Sequence, residues 1–184
     1  MGLVEIKERQ LSKGYLFENL SRFFLFELDM LFNFDAWYIG KINEDGYQIL
    51  QGEGRLDYFP PGKIMKWSDT ICSRMVQFEG PSIVPDISKV KSYSEAKIAI
   101  NSGIRSYIGA PIFKGENLYG SLAGVSQSIQ PVSILKEEKY IYKITKTLSA
   151  CISNDNKPVD NGVINTAKKN AQFYKKYPEQ VGYI

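Results

Sequence analysis

Two short polar turns constrain the fold of this chain most. Asn43-Glu44-Asp45-Gly46 and Lys114-Gly115-Glu116-Asn117 each separate two runs rich in aromatic and β-branched residues, 35–42 from 47–51 and 105–113 from 118–127. Runs of that composition on either side of a tight, glycine-containing turn predict β-hairpins. Strands joined in this way pair antiparallel, so the sheet is expected to be antiparallel.

Helical patterns bracket the hairpins. Residues 3–32 predict a helix, with Leu16, Leu20, Phe23, Phe24, Glu27 and Leu31 at three- and four-residue spacing. Phe17, Leu25, Phe26 and Leu28 widen that stripe beyond one face, which implies a helix sandwiched between two layers or shared with a partner chain. Gly14 is expected to weaken the helix locally and set off a helical N-terminal extension, 1–15, from the packed part. Residues 133–153 predict a second long helix with a stripe of Ile134, Ile141, Ile144, Leu148 and Ile152. Beyond it, 154–162 reads as a polar linker and 163–177 as a weak helix carrying Lys168, Lys169, Lys175 and Lys176.

Between the hairpins, Gly52, Gly54, Pro60, Pro61 and Gly62 mark a loop over 52–67. Ser68 or Asp69 is expected to cap a short helix running to about Gln77, with Ile71, Met75 and Phe78 toward the core and Cys72 and Val76 one step round. Ser82-Ile83-Val84 reads as a short strand closed by Pro85-Asp86. Residues 94–101 read as a further short helix, ended by Asn101-Ser102-Gly103, a left-handed cap sequence. Gly109, Gly120 and Gly124 inside strands imply close packing against the backbone. The result is an α+β fold. The N- and C-terminal helices lie on one face of the sheet, and loops plus short helices cover the other. A small-molecule cavity is expected between that cover and the sheet.

Composition narrows the chemistry. At 184 residues the chain is one domain with a short appendage, and 43% hydrophobic with 23% charged residues is ordinary globular material. A net charge of +3 is too slight to predict nucleic-acid or membrane partners. There is no histidine, which excludes from this chain a Ser-His-Asp triad, a Cys-His dyad and His-ligated metal or haem. Cys72 and Cys151 are isolated and fit a reducing cytosol. The N-terminus shows no secretory pattern, and the apolar stretch 23–34 is too short and too charged to cross a bilayer, so the expected location is cytoplasmic. Gly52-Glu53-Gly54 lacks the Lys and further Gly of a phosphate loop.

The segments 67–76 (Trp-Ser-Asp-Thr-Ile-Cys-Ser-Arg-Met-Val), 83–86 (Ile-Val-Pro-Asp), 106–112 (Ser-Tyr-Ile-Gly-Ala-Pro-Ile) and 118–122 (Leu-Tyr-Gly-Ser-Leu), in this order and spacing, resemble a GAF domain over residues 16–153. The likeness is greatest to those found upstream of diguanylate cyclase or histidine kinase modules in bacterial signalling proteins. The resemblance implies a six-stranded antiparallel sheet, and a sensing or dimerisation module rather than an enzyme. Its partners would be an unidentified small molecule, a second copy joined through the terminal helices, and an output domain or partner protein. It names no cofactor.

The chain departs from the better-defined subclasses. Ser73, not His, follows Cys72, unlike bilin-binding members, and the cyclic-nucleotide signature is not recognisable. Ala123 stands where the last strand often carries Cys.

The candidate ligand-binding residues are Trp67, Cys72, Met75, Asp86, Tyr93, Arg105, Tyr107 and Ala123. Each has a plainer reading. Cys72 is a reactive thiol near a helix start or a small core hydrophobe. Asp86 holds a ligand amine or caps its own turn. Arg105 clamps an anion or is a solvated edge charge. The aromatics wall a pocket or fill the core. The rival function is a thiol redox enzyme of the GAF-fold methionine sulfoxide reductase type, which needs an attacking and a resolving thiol.

Overall fold

Both turns close where the sequence predicts. The computed structural model describes residues 3–55 and 57–153, with side chains from Gly14 onward. Helix α1 (Leu3–Leu31) leads into strands β1 (Ala36–Asn43) and β2 (Gly46–Gly54), joined across Glu44-Asp45. Strands β5 (Ser106–Lys114) and β6 (Asn117–Ser126) form the second hairpin across Gly115-Glu116, and helix α5 (Glu138–Ile152) follows a 3-10 turn over Val132–Glu137. Between the hairpins lie β3 (Ile64–Met65), α2 (Ile71–Val76), β4 (Ile83–Val84), α3 (Lys91–Ser94) and α4 (Lys97–Ser102). The six strands form one sheet in the order β3-β2-β1-β6-β5-β4, every neighbouring pair antiparallel. The readings for 154–184 fall outside the described residues.

Alternation along the strands builds two cores. Trp37 and Ile39 of β1, Ile108, Ala110 and Ile112 of β5, and Leu122 of β6 pack against Phe17, Leu25 and Leu28 of α1 and Ile141, Ile144 and Leu148 of α5. Their neighbours Ala36, Tyr38, Tyr107, Ala123 and Val125 point the other way, under α2, α3 and α4. The glycines behave as expected: a β-carbon at Gly124 would meet the Trp37 ring at 2.6 Å, one at Gly120 would collide with the Gly40 carbonyl, and one at Gly109 with the Tyr107 phenol. One hydroxyl of α5 and one of its C-cap residue tie the helix to the β5–β6 hairpin. Ser149 Oγ accepts from Phe113 N (2.9 Å), beside a register shift, and Ser153 Oγ accepts from Gly115 N (3.0 Å) in the turn.

Several expectations need correcting. The first concerns which side of helix α1 (Leu3–Leu31) is buried. From Gly14 onward its buried residues are Phe17, Ser21, Leu25 and Leu28, whereas Leu16, Phe23 and Leu31, assigned to the inner stripe, are 49%, 58% and 60% exposed. An almost wholly apolar helix satisfies the spacing rule on more than one side, and contact with the sheet and α5 decides which side is buried. Strand β2 continues to Gly54, and β3 pairs with it inside the segment expected to be loop. A register shift opposite Ile39/Gly40 leaves Leu50 as an extra residue in β2. Leu50 packs on the helix-side core, and Gln51 beside it donates to the Glu18 carbonyl of α1 (3.1 Å).

The cap of α2 is Thr70, whose hydroxyl accepts from Ser73 N at 3.0 Å. Ser68 and Asp69 belong to a preceding 3-10 turn, Trp67–Asp69. Helix α2 ends with Gln77 as its cap, where expected, because Phe78 takes the left-handed conformation (φ 62°), with Phe78 N donating to Met75 O and Glu79 N to Arg74 O. This is a Schellman closure with Phe in the place that usually holds Gly. The helix expected over 94–101 begins later, at Lys97 after extended Ala96 (ψ 131°), with the separate α3 before it, and Gly103 (φ 63°) closes it as predicted.

Candidate functional site

The compartment between the sheet and its cover of short helices is the candidate site. Strands supply its floor: Tyr38 from β1, Tyr47 from β2, Ala123 from β6 and Tyr107 from β5. Cys72 and Met75 descend from one face of α2, a spacing of three that one helical turn brings together, and Tyr93 enters from α3. Phe59, from the long connection after β2, stacks on Tyr38 with ring centres 4.6 Å apart and planes 11° from parallel.

The polar atoms in this compartment satisfy one another. Tyr107 Oη donates to Cys72 Sγ at 3.5 Å, and the Tyr38 hydroxyl lies 3.9 Å from the same sulfur. Tyr47 Oη bonds the Ser121 hydroxyl at 2.7 Å, and its ring occupies the space that a β-carbon at Gly40 would take. Tyr93 Oη donates to the Pro81 carbonyl at 2.8 Å, with its ring edge-on to Tyr107. Burial holds the Tyr38, Tyr47 and Tyr107 hydroxyls well above their ordinary pKa of 10.0, and the adjacent Cys72 thiol opposes their ionisation further. Among the described residues no Asp, Glu, Lys or Arg is buried. None of their His, Cys, Asp or Glu side chains form a group of three or more able to hold a metal.

The predicted site residues divide. Cys72, Met75, Tyr93, Tyr107 and Ala123 meet in the compartment, all 0% exposed. Trp67 is half-buried at its rim, 5.2 Å from the Tyr47 ring. Asp86 does not join them. Its carboxylate accepts from Ser88 N (3.1 Å) and caps the turn Ile87–Lys89. Arg105 is exposed where β5 begins, and its main chain pairs with Ser126 and Ile87. Sequence reasoning missed Tyr38, Tyr47, Phe59 and Ser121. Alternation from Trp37 and Ile39 would have placed Tyr38 on the opposite face, but nothing local marks Phe59 or Ser121.

The compartment is filled by the protein's own side chains. A cleft of about 310 Å3 opens at its margin, between β3, the Trp67–Asp69 turn and α4. Met65, Thr70 and Ile98 line its inner side, and Lys63, Lys66 and Lys97 ring it with Asp69, which pairs with Lys97 at 3.7 Å.

No protein-family model matches the chain, and no curated protein does. Solved structures do. The phycoerythrobilin-bound GAF domain from a cyanobacterial phytochrome matches at a TM-score of 0.59 and 20% identity, over 82% of this chain and 92% of that one. The GAF domain of an Acinetobacter phosphoenolpyruvate-protein phosphotransferase matches at 0.58 and 16%, over 83% and 94%. The free methionine-R-sulfoxide reductase from Neisseria meningitidis, solved with its substrate, matches at 0.58 and 16%, over 85% and 80%. The chain therefore has the GAF fold. Proteins of that fold include both sensors and reductases, and at these identities the likeness is one of fold.

Proposed function

We propose that the chain is a non-enzymatic regulatory GAF module in signal transduction, whose covered compartment takes a small molecule and whose terminal helices pass the occupancy on, through a homodimer or to a partner protein. The carrying observation is the make-up of the compartment. Four tyrosines and a thiol lie in a compartment covered by helices of four to six residues, with no buried charged group among the described residues to act as acid or base. Such a lining recognises a ligand by stacking and hydroxyl hydrogen bonds. Entry at the Lys-ringed cleft would lift α4 and displace the side chains that now fill the space, and the ligand would favour that arrangement by its differential affinity.

The dimer half of the reading rests on α1. Tyr15, Leu16, Phe23, Phe26, Met30 and Leu31 are 49–71% exposed on its outward side, an apolar stripe that a second copy of the same helix would cover. Sedimentation at high protein concentration is expected to give twice the chain mass, and a strict monomer removes this half.

The reductase alternative fits less well. Cys72 is fully buried in the compartment, whereas Cys151 packs against the core on the opposite side of the sheet. A disulfide needs the two α-carbons within about 7 Å, which an intervening sheet does not allow. The sensing half is tested by thermal shift with broad metabolite and nucleotide sets. A ligand at a hundred times its Kd should raise the Tm by about 5–10 °C. No shift with any set removes the sensing reading. Rapid labelling of Cys72 by a thiol reagent in native buffer would favour the reductase.

A further inference from the structure

Positive charge gathers at the cleft of about 310 Å3 on the margin of the compartment. Three parts of the chain meet there. Lys63 and Lys66 flank β3, the edge strand of the sheet; Asp69 ends the 3-10 turn before α2; Lys97 opens α4. Three lysines against one aspartate leave two positive charges that no lining residue compensates. Lys63 Nζ donates to the Tyr58 carbonyl at 2.6 Å, which fixes its position and leaves its charge in place. Lys66 is exposed and has no acidic partner among the described residues. Lys97 faces Asp69 at 3.7 Å, with side chains 69% and 30% exposed. A loose surface pair of this kind contributes little and exchanges readily.

Lysines beside a two-residue edge strand also deter pairing with another chain, but that role covers Lys63 and Lys66 alone. Lys97 brings its charge to the same cleft from the cover. The inner wall is hydrocarbon: Met65 and Ile98 are half-buried and pack on the cover-side core. The Thr70 hydroxyl beside them is committed, donating to the Trp67 carbonyl (2.8 Å) and accepting from Ser73 N (3.0 Å). An ammonium binds phosphate as a point charge, whereas a planar carboxylate is matched by the fork of an arginine, and none of the lining residues is an arginine. The volume lies at the lower end for ligand sites, with room for a phosphate and one ring or short chain.

We propose that the ligand of this module is a small phosphomonoester, its phosphate held by Lys63, Lys66 and Lys97 and its apolar body lying on Met65 and Ile98. This rests on the sensing reading and specifies the ligand class. The phosphate competes with Asp69 for Lys97, so binding releases α4 from the turn before α2. One ion pair within the cover is exchanged for a contact with the ligand, and that exchange is how occupancy favours the lifted arrangement.

The test is titration of the full chain with inorganic phosphate and phenyl phosphate, read from the backbone amide NMR shifts of 65–70 and 97–102. Both should move these amides saturably, phenyl phosphate more tightly, and benzoate should bind several-fold more weakly than phenyl phosphate. Lys66→Gln should weaken phenyl phosphate binding roughly fivefold to tenfold, and Asp69→Asn, which frees Lys97, should tighten it about threefold. Lys143→Gln, the same charge change on an exposed position of α5, should leave it unchanged. No saturable shift with either phosphate overturns the proposal. Equal effects of Lys66→Gln and Lys143→Gln also overturn it, as does benzoate binding as tightly as phenyl phosphate or weaker binding in Asp69→Asn. Neutral compounds that move the same amides when neither phosphate does would overturn the ligand class and leave the sensing reading standing.

Discussion

The two sides of the sheet are built from different materials. On the helix side, Trp37, Ile39, Ile108, Ile112 and Leu122 lie beneath two continuous helices of 29 and 15 residues. On the cover side, Tyr38, Tyr47, Tyr93, Tyr107 and Cys72 lie beneath helices of six, four and six residues. Apolar contact area over long elements resists partial opening, whereas short helices held by a few caps can lift singly. The contrast separates a rigid frame from a compartment able to admit a guest.

Substitution on the frame side should cost most. Leu148→Ala removes a fully buried side chain from α5 and should lower unfolding free energy by about 2–5 kcal/mol in denaturant titrations. A cost below about 1 kcal/mol would make the frame no more rigid than the cover. The second effect belongs to the cover side alone. The three phenols titrate near 10.0 when unfolded but stay protonated when folded, so the folded state holds more protons as the pH passes 10. Their contribution is intact below that value and is lost as pH climbs from it toward the raised folded pKa. The slope is about 1.4 kcal/mol per pH unit for each phenol. Chemical denaturation between pH 9 and pH 11 should show this fall, and the Tyr38→Phe/Tyr107→Phe double variant should flatten it. A slope unchanged by that variant would contradict the burial of these hydroxyls.

Smaller effects sharpen the contrast. Tyr47→Phe leaves the Ser121 hydroxyl without its 2.7 Å partner and should cost about 1–3 kcal/mol. Thr70→Ala removes the cap of α2 and should cost about 1 kcal/mol, while quickening labelling of Cys72 by a thiol reagent. A loss of stability with no change in labelling would mean that α2 does not gate the compartment.

Most of the frame was legible in the sequence because its signals are local. Hairpin turns, β-branched runs and the α5 stripe predicted five strands and both long helices. Strand β3 escaped because two residues, Ile64 and Met65, carry no periodicity and pair with β2 only once the 52–63 connection has returned. The buried side of α1 escaped because Phe17 and Leu25 compete with Phe23 and Leu31 for the same spacing, and only the sheet chooses between them. In the compartment, helical phase marks Met75, whereas Cys72 stands out as a thiol, Tyr107 as an aromatic, and Asp86 and Arg105 as charged groups, all by residue type. Asp86 proved to be committed to a neighbouring backbone N–H, a local competitor that a polar residue after a strand always has. Trp67 was legible as an aromatic beside a helix, though not as the rim of the site rather than its wall.

Native-state hydrogen exchange is the most direct test of the claim that the cover yields while the frame holds. Amides of α2, α3 and α4 should exchange through openings about 2 kcal/mol or more below global unfolding, while those of β5, β6 and α5 should exchange only through it. Equal opening free energies across 71–102 and 106–152 would contradict the account.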